Sequence, residues 1–205
     1  MYEQDPGNDR KPAELVPARA EAMPQRPSIW IGSLLDYNNS ILHGDWIDAA
    51  GDAEAIQADI ATILRASPTA RQTGEVAEEW GIFDHDGFSG VTIGEYESID
   101  LVSRLAKGIV EHGPAYGAYY NMVGDQDELV HFDEAYVGHW DSVEAYAEHI
   151  IDETGYEQTL DQVLPASLRP YLSFDTEQLA RDMQYEGSLY SVDHPTGGVW
   201  LFSER

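Results

Sequence analysis

The chain has 205 residues, of which 42% are hydrophobic, and five Trp, twelve Tyr and five Phe supply bulky core material. It also carries 38 Asp and Glu against 11 Lys and Arg, a formal net charge of −27. This composition excludes a disordered acidic tail and predicts a folded protein that repels nucleic acid and attracts basic proteins. The absence of cysteine excludes disulfides, thiolate catalysis and cysteine-ligated zinc.

The sequence contains no segment that predicts membrane insertion or export. No stretch approaches the roughly 18 consecutive apolar residues that a spanning helix needs. The N terminus also lacks the apolar core of a signal peptide. We therefore expect a cytoplasmic protein without a membrane partner.

The charge imbalance belongs to the part of the chain that is predicted to fold. Residues 1–27 contain five acids and four bases and are predicted to be a flexible leader, whereas residues 28–205 contain 33 acids and 7 bases. Residues 27–64, 72–103 and 108–168 hold six, eight and thirteen acids, respectively, and no base. Ordinary globular surfaces intersperse the two signs. Such long runs indicate that negative charge is itself the functional property.

Residues 28–97 predict a small N-terminal α/β domain. Residues 29–35 are apolar on both faces, as in a central strand, and the turn-rich residues 36–40 end it. A second strand is predicted over residues 79–84 and a short third strand within residues 87–96.

The helix of this domain is predicted over residues 53–65, with Asp52 as its N-cap. Its apolar residues recur at the spacing of one helix face. They are Ile56, Ile60, Ile63 and Leu64.

Residues 98–134 predict a helical middle domain. Ser98 is placed to cap a helix that ends near Gly113, with an apolar stripe at helical spacing. Further aromatic and apolar residues then continue that spacing. They are Tyr116, Tyr119, Tyr120, Leu129, Phe132 and Tyr136.

Residues 135–205 predict a C-terminal α/β domain that begins with a strand over residues 136–140. A helix follows, for which Asp141 as N-cap and Glu144 at N3 have the spacing of a capping box. Its polar face carries like charges one turn apart, at Glu144, Glu148 and Asp152. Such pairs destabilise a helix by a few tenths of a kcal/mol each, which favours a role for the charge beyond stability.

The C-terminal domain is predicted to end with a helix and a hairpin. Asp175 is the expected N-cap of that helix, which has Leu179 and Met183 on its buried side. Residues 189–192 and 199–202 flank a turn rich in Pro and Gly, as in a β-hairpin.

No motif for catalysis or cofactor binding is present. The nucleotide-binding glycine motifs and the nucleophile elbow are all absent. In Asp84-His85-Asp86, alternate residues of an extended segment point to opposite faces, so His85 does not converge with the carboxylates, and a polar turn is expected. His43 with Asp45 lacks the further ligands of a metal site. The sequence therefore predicts a protein that is not an enzyme and has no catalytic residues, metal or cofactor.

Three kinds of binding or solvation function remain open on composition alone. An acidic mimic of DNA needs fixed carboxylates on rigid elements, and an acidic chaperone for basic proteins tolerates an irregular layout. A haloadapted cytosolic domain uses an acidic, lysine-poor surface for hydration in high salt. DNA or RNA binding is excluded because no basic patch exists to neutralise phosphates.

Four parts of the sequence resemble ArdA-type antirestriction proteins, in order over residues 28–205. The matching segments are 29–39 (IWIGSLLDYNN) with 42–49 (LHGDWIDA), 79–88 (EWGIFDHDGF), 94–99 (GEYESI), and 168–175 (LRPYLSFD) with 180–183 (ARDM).

The resemblance implies an α+β fold of three small domains, mixed α/β, helical and mixed α/β, in an elongated, very acidic molecule that imitates bent duplex DNA. Members of this family are carried by mobile genetic elements. They inhibit type I restriction-modification enzymes by occupying the DNA-binding groove of the specificity and methyltransferase subunits. The resemblance also implies a homodimer, assembled through the chain from about Glu134 onward.

The C-terminal strand pair is apolar and is therefore a candidate for that dimer interface, although the same residues would also suit a core. They are Leu189, Tyr190, Val199, Trp200 and Phe202. The partner-binding residues predicted on this interpretation are carboxylates that replace DNA phosphates. They are Asp84, Asp86, Glu95, Glu97, Asp125, Asp127, Glu128, Asp133, Glu134, Glu144, Glu148, Asp152, Glu153, Asp175, Glu177 and Asp182.

Overall fold

The computed structural model describes residues 26–204, which form a mixed α+β fold with two three-stranded antiparallel sheets. The predicted leader, apart from its last two residues, lies outside the described residues. The chain divides into two compact units, one that ends at Asn121 and one that begins at Met122. The predicted α+β class is confirmed, and the three-domain division stays a prediction.

The sheet of the first unit has the strand order β2-β1-β3, with β1 (Ser28–Ser33), β2 (Gly44–Asp48) and β3 (Trp80–Asp86). All six residues of β1 are buried, so the prediction of a central strand is confirmed. Strand β2 was not predicted, because its residues alternate only weakly between buried and exposed.

The chain turns directly from β1 into a helix, α1 (Leu34–Asn38), and the prediction of a strand to residue 35 followed by a turn is wrong there. The reason is Ser33, whose hydroxyl oxygen accepts a hydrogen bond from Asp36 N at 3.3 Å and so caps the helix.

Helix α2 (Ala53–Arg65) has the predicted bounds, with Ile56 and Ile60 buried on its inner face. It is followed by the short helix α3 (Pro68–Thr73). The third strand predicted within residues 87–96 is wrong. Residues 87–90 form a turn in which Gly87, Ser89 and Gly90 have positive φ, which an extended strand does not allow, and residues 91–96 form no strand either.

Two helices confirm the helical character predicted after Ser98. Helix α4 (Ile99–His112) ends at Gly113, which adopts a φ of 76°, and α5 (Pro114–Val123) follows at once. The Ser103 hydroxyl on α4 donates to Gly51 O at 2.7 Å, so α4 packs beside α2 within the first unit. A 3-10 turn (Asp127–His131) and the short helix α6 (Phe132–Ala135) come next.

The second unit contains a sheet with the order β4-β6-β5, made of β4 (Tyr136–Trp140), β5 (Leu189–Asp193) and β6 (Val199–Ser203). The predicted strand and hairpin are both confirmed. Leu201 and Phe202 of β6 are fully buried and form the centre of this unit's core.

Three helices belong to the same unit: α7 (Val143–Thr154), α8 (Tyr156–Val163) and α9 (Thr176–Tyr185). The capping box predicted for α7 is wrong by one residue. Ser142 is the N-cap, and its hydroxyl oxygen accepts from Ala145 N at 3.0 Å. The cap predicted for α9 is confirmed, since Asp175 Oδ1 accepts from Gln178 N at 2.8 Å.

Candidate functional site

The acidic side chains of the described chain lie almost entirely outside its core. Of the 33 Asp and Glu between residues 26 and 204, Asp36 alone is buried. Twelve of the sixteen carboxylates predicted to contact a partner are exposed, and the other four, Asp84, Asp86, Glu97 and Glu128, are half-buried.

Helix α7 has one charged, exposed face and one apolar, buried face. Glu144, Glu148 and Asp152 are exposed, whereas Ala147 and Ile151 are buried. The three carboxylates recur at intervals of one helix turn, as the sequence predicts, and so form an acidic row on a regular element.

The predicted carboxylates of α9 have local hydrogen-bonding and ion-pair partners. Asp175 caps the helix, Glu177 lies 3.3 Å from Arg181, and Asp182 accepts a hydrogen bond from Gln178 Nε2 at 2.6 Å. Because α7 and α9 pack against each other, the acids of both helices belong to one part of the second unit.

The carboxylates before β4 that were predicted to contact a partner lie in short helical turns, except Asp125, which lies in the loop before the 3-10 turn. Asp125 Oδ1 accepts from Asp127 N at 2.9 Å, and Glu134 lies 3.5 Å from His131. Asp133 is exposed beside Glu134 on α6. These residues are close along the chain and on structured backbone.

The Asp84-His85-Asp86 triplet forms the end of strand β3, so the polar turn predicted there is wrong. Asp84 Oδ1 accepts from His85 N, and His85 Nε2 accepts from Ile93 N at 3.3 Å. The imidazole therefore holds the following loop against the strand. Over residues 26–204, no group of three or more His, Asp or Glu is arranged to hold a metal ion.

Several cations are bound to neighbouring carboxylates or carbonyls. Lys107 contacts Asp52 at 2.6 Å, Arg26 lies 3.4 Å from Asp48, and Arg71 donates to a backbone carbonyl. These contacts join parts of the fold. The exposed carboxylates still far outnumber the bases.

Arg169 is the cation with the largest number of the contacts described here. It pairs with Glu157 and Asp161, which lie one turn apart on α8, and donates to Leu172 O at 2.7 Å. This cluster was not predicted from the sequence because α8 itself was not predicted. Arg169 therefore connects α8 to the segment between α8 and α9, which is a structural role for a base in an acidic region.

Asp36 is the buried acid, and its role is structural. Its Oδ1 accepts hydrogen bonds from Ser67 Oγ at 2.9 Å and Thr69 N at 2.8 Å. Burial alone would raise the pKa of this carboxyl, but hydrogen bonds from Ser33, Thr69 and Ser67 outweigh that effect and lower the pKa to about 2. The charged carboxylate thus ties α1 to the start of α3.

Most of the apolar residues considered for a dimer interface form the core of the second sheet. Leu189 is 2% exposed, Trp200 6% and Phe202 0%, whereas Tyr190 is 43% exposed. The core interpretation of this strand pair is therefore confirmed for the three buried residues. Any interface in this unit must use other side chains.

The described chain combines small antiparallel sheets, exposed carboxylates and locally bound cations, as a surface for a basic partner requires. No helix within residues 26–204 is long and apolar enough to cross a bilayer. A family model described as antirestriction protein (ArdA) matches residues 29–196. The chain therefore belongs to the ArdA family of antirestriction proteins. No curated protein matches it.

Proposed function

We propose that this protein inhibits type I restriction-modification enzymes by occupying, as a mimic of duplex DNA, the groove that binds their substrate. The observation that carries the proposal is the ratio of 33 acids to 7 bases over residues 28–205. The family supports the antirestriction role and an inhibitor rather than an enzyme. The mimicry and the type of enzyme are our inference from the charge and from the resemblance.

The amount of charge suits a groove that holds a long stretch of DNA. Duplex DNA carries about one negative charge per 1.7 Å of axis, so 26 excess charges correspond to roughly 44 Å of duplex. A dimer would correspond to about 90 Å, or some 26 base pairs. These lengths are upper bounds, because some carboxylates face away from any single partner.

The placement of carboxylates on helices favours a mimic over a chaperone with many partners. Glu144, Glu148 and Asp152 are fixed by the backbone of α7, and Asp175 and Glu177 by the start of α9. Charges on regular elements lose less conformational freedom on binding than charges on a tail, so more of the attraction is retained as affinity.

We further propose a homodimer whose interface lies between α8 and α9 rather than on the C-terminal hairpin. Large apolar side chains are exposed at the last residue of α8 and in the segment that follows it. They are Val163 at 68%, Leu168 at 51%, Tyr171 at 83%, Leu172 at 46% and Phe174 at 36%. Clustered exposed apolar side chains are typical of surfaces that bind another protein.

The decisive experiment titrates the purified protein into a type I enzyme and follows DNA cleavage and methylation of an unmodified substrate. We expect both activities to fall and to recover when DNA is added in excess, because the two ligands compete for one groove. Inhibition that excess DNA does not relieve would contradict mimicry, and a protein without effect on the enzyme would contradict the proposed function.

A further inference from the structure

The first unit contains a groove of about 700 Å³ that the sequence analysis did not predict. It lies between the first turns of α2 and α4, the start of β3 and the loop that precedes α4. Its volume falls within the range of pockets that hold small organic ligands, about 300–1,000 Å³.

Two aromatic side chains line this groove. Trp80 at the start of β3 is half-buried, and Tyr96 in the loop is 72% exposed. A hydrogen bond with Glu95 raises the pKa of the Tyr96 hydroxyl, so the side chain stays neutral at physiological pH. Exposed aromatic faces attract cations through the negative charge of the ring face.

The charges around the groove also select a cation. Glu54, Glu97 and Asp100 line it, and no Lys or Arg is among its lining residues in the described chain. The N-termini of α2 and α4 contribute about +0.5 charge each, so the three carboxylates leave a net charge of about −2. Glu97 follows Tyr96 in the loop, and Glu54 lies in the first turn of α2, so these two are the carboxylates assigned to the ligand.

Hydrogen bonds and an ion pair fix both walls of the groove. The Ser103 hydroxyl donates to Gly51 O at 2.7 Å, and the Lys107–Asp52 ion pair joins the same two helices. On the other wall, Ile82 N donates to Glu95 O at 2.8 Å, and Ser98 N donates to Glu97 Oε1 at 3.1 Å. Because the walls are already ordered, binding of a ligand does not carry the entropic cost of ordering them.

We infer that this groove binds an arginine side chain presented by the basic partner, whose identity as a restriction enzyme rests on the proposed function. A planar guanidinium stacks on an aromatic face and donates two parallel hydrogen bonds to a carboxylate. The compact ammonium of lysine has neither geometry. The groove thus adds one specific contact to an otherwise distributed attraction.

The first test needs no restriction enzyme. N-acetyl-arginine amide is titrated into the ¹⁵N-labelled protein, and the indole N–H resonance of Trp80, identified with Trp80→Phe, is followed by NMR. We expect a saturable shift, a weaker one with N-acetyl-lysine amide, and none with inorganic phosphate. No saturable shift with the arginine ligand, or a shift with phosphate, would overturn the assignment.

Variants connect the shift to the groove. Tyr96→Ala is expected to weaken arginine binding about tenfold, through loss of the ring contact. Glu97→Gln is expected to weaken it as well. The matched control is Tyr185→Ala, which removes a tyrosine that is 92% exposed in the other unit. Equal loss of binding in the control and in Tyr96→Ala would show that the groove is not the site.

The second test measures inhibition of a type I enzyme by the same variants. Tyr96→Ala is expected to raise the inhibitory concentration about tenfold and Tyr185→Ala to leave it unchanged. If the groove binds arginine but the wild-type protein does not inhibit the enzyme, the proposed function is wrong, whereas arginine binding by the groove remains supported. If Tyr96→Ala loses arginine binding yet inhibits as well as the wild type, the groove is not the contact with the enzyme and the inference fails.

Discussion

The Lys107 ammonium lies 2.6 Å from Asp52 Oδ1, and this ion pair joins α4 to the N-terminal end of α2. Asp52 occupies the N-cap position of α2, but its carboxylate accepts no hydrogen bond from the helix backbone. The hydrogen bond from Lys107 and its charge lower the pKa of Asp52. The pair therefore stabilises the fold above the pKa of an unfolded aspartate, and that stability is lost as the pH falls through the folded pKa.

Removing this cation should destabilise the first unit. We expect Lys107→Gln to lower the melting temperature more than Arg181→Gln, a control with the same charge change whose ion pair with Glu177 lies within one helix. The difference between the two variants should shrink at 1 M salt, where the Debye length is about 3 Å. Calorimetry over a salt series checks this, and a larger effect of Arg181→Gln would contradict it.

Asp36→Asn should destabilise the protein in a pH-dependent way. A carboxyl whose pKa falls from 3.8 to about 2 on folding contributes stability above pH 4 that is lost between about pH 4 and pH 2. We expect the variant to lose about 2 kcal/mol of unfolding free energy at pH 7. Urea denaturation at a series of pH values measures the loss.

The control for Asp36→Asn is Asp59→Asn, which removes an exposed carboxylate from α2. It should change the unfolding free energy little at any pH. A difference between wild type and Asp36→Asn that stays constant down to pH 2 would show that the charge on Asp36 is not what stabilises α1 against α3.

Inhibition should depend on many carboxylates at once. An exposed charge pair is worth about 0–1 kcal/mol, so Glu148→Gln or Asp127→Asn alone should leave the inhibitory concentration nearly unchanged. Neutralising four exposed acids of α7 together should abolish inhibition. These acids are Glu144, Glu148, Asp152 and Glu153.

The matched control for the α7 variant neutralises four exposed acids outside the predicted partner-binding set. They are Glu78, Glu111, Glu186 and Asp193. This control has the same net charge and should retain more inhibition. Equal losses would mean that only total charge matters, and a single substitution that removes all inhibition would contradict the mimic model.

Salt should change the affinity and the fold in opposite directions. Screening weakens the long-range attraction between the carboxylates and a basic groove, so association with the enzyme should slow as salt rises from 0.1 to about 1 M. The same screening reduces repulsion among the protein's own charges, so its melting temperature should rise. Affinity that is constant or increases with salt would contradict a DNA-like contact.

Self-association should depend on the exposed apolar segment between α8 and α9. Analytical ultracentrifugation at micromolar concentration is expected to show a dimer for the wild type and a monomer for Tyr171→Asp. Tyr185→Asp changes a tyrosine of α9 that is also strongly exposed; it is the control and should remain dimeric. The proposed interface would be contradicted by a monomeric wild type or by a Tyr171→Asp variant that remains dimeric.

The sequence predicted most of the longer elements because their apolar residues repeat with helix or strand spacing. Helix α2 has its predicted bounds, and β4 spans the predicted residues. Predictions failed where a local contact decides the conformation or the start of a helix. Ser33 turns residues 34–38 into a helix through its capping hydroxyl, and Ser142 rather than Asp141 caps α7.

The candidate site was only partly accessible to sequence reasoning. Runs of acids without bases predict carboxylates outside the core, but they do not reveal which ones have partners, such as Asp182 with Gln178. The groove beside Tyr96 depends on contacts between α2, β3 and α4, which are distant in sequence. The spacing of residues within one segment cannot predict such a contact, which is visible only in the folded structure.

Because Asp36 is the one buried acid among the described residues, the side chains that build the core are almost entirely distinct from those that carry the charge. An exposed aspartate without a capping or ion-pair role can therefore become a glutamate without disturbing the packing beneath it. Sequences that diverge in this way keep their fold and their charge while losing pairwise identity at the surface. Relatives of this chain should then be easier to recognise by the profile of charge along the sequence than by counting identical residues.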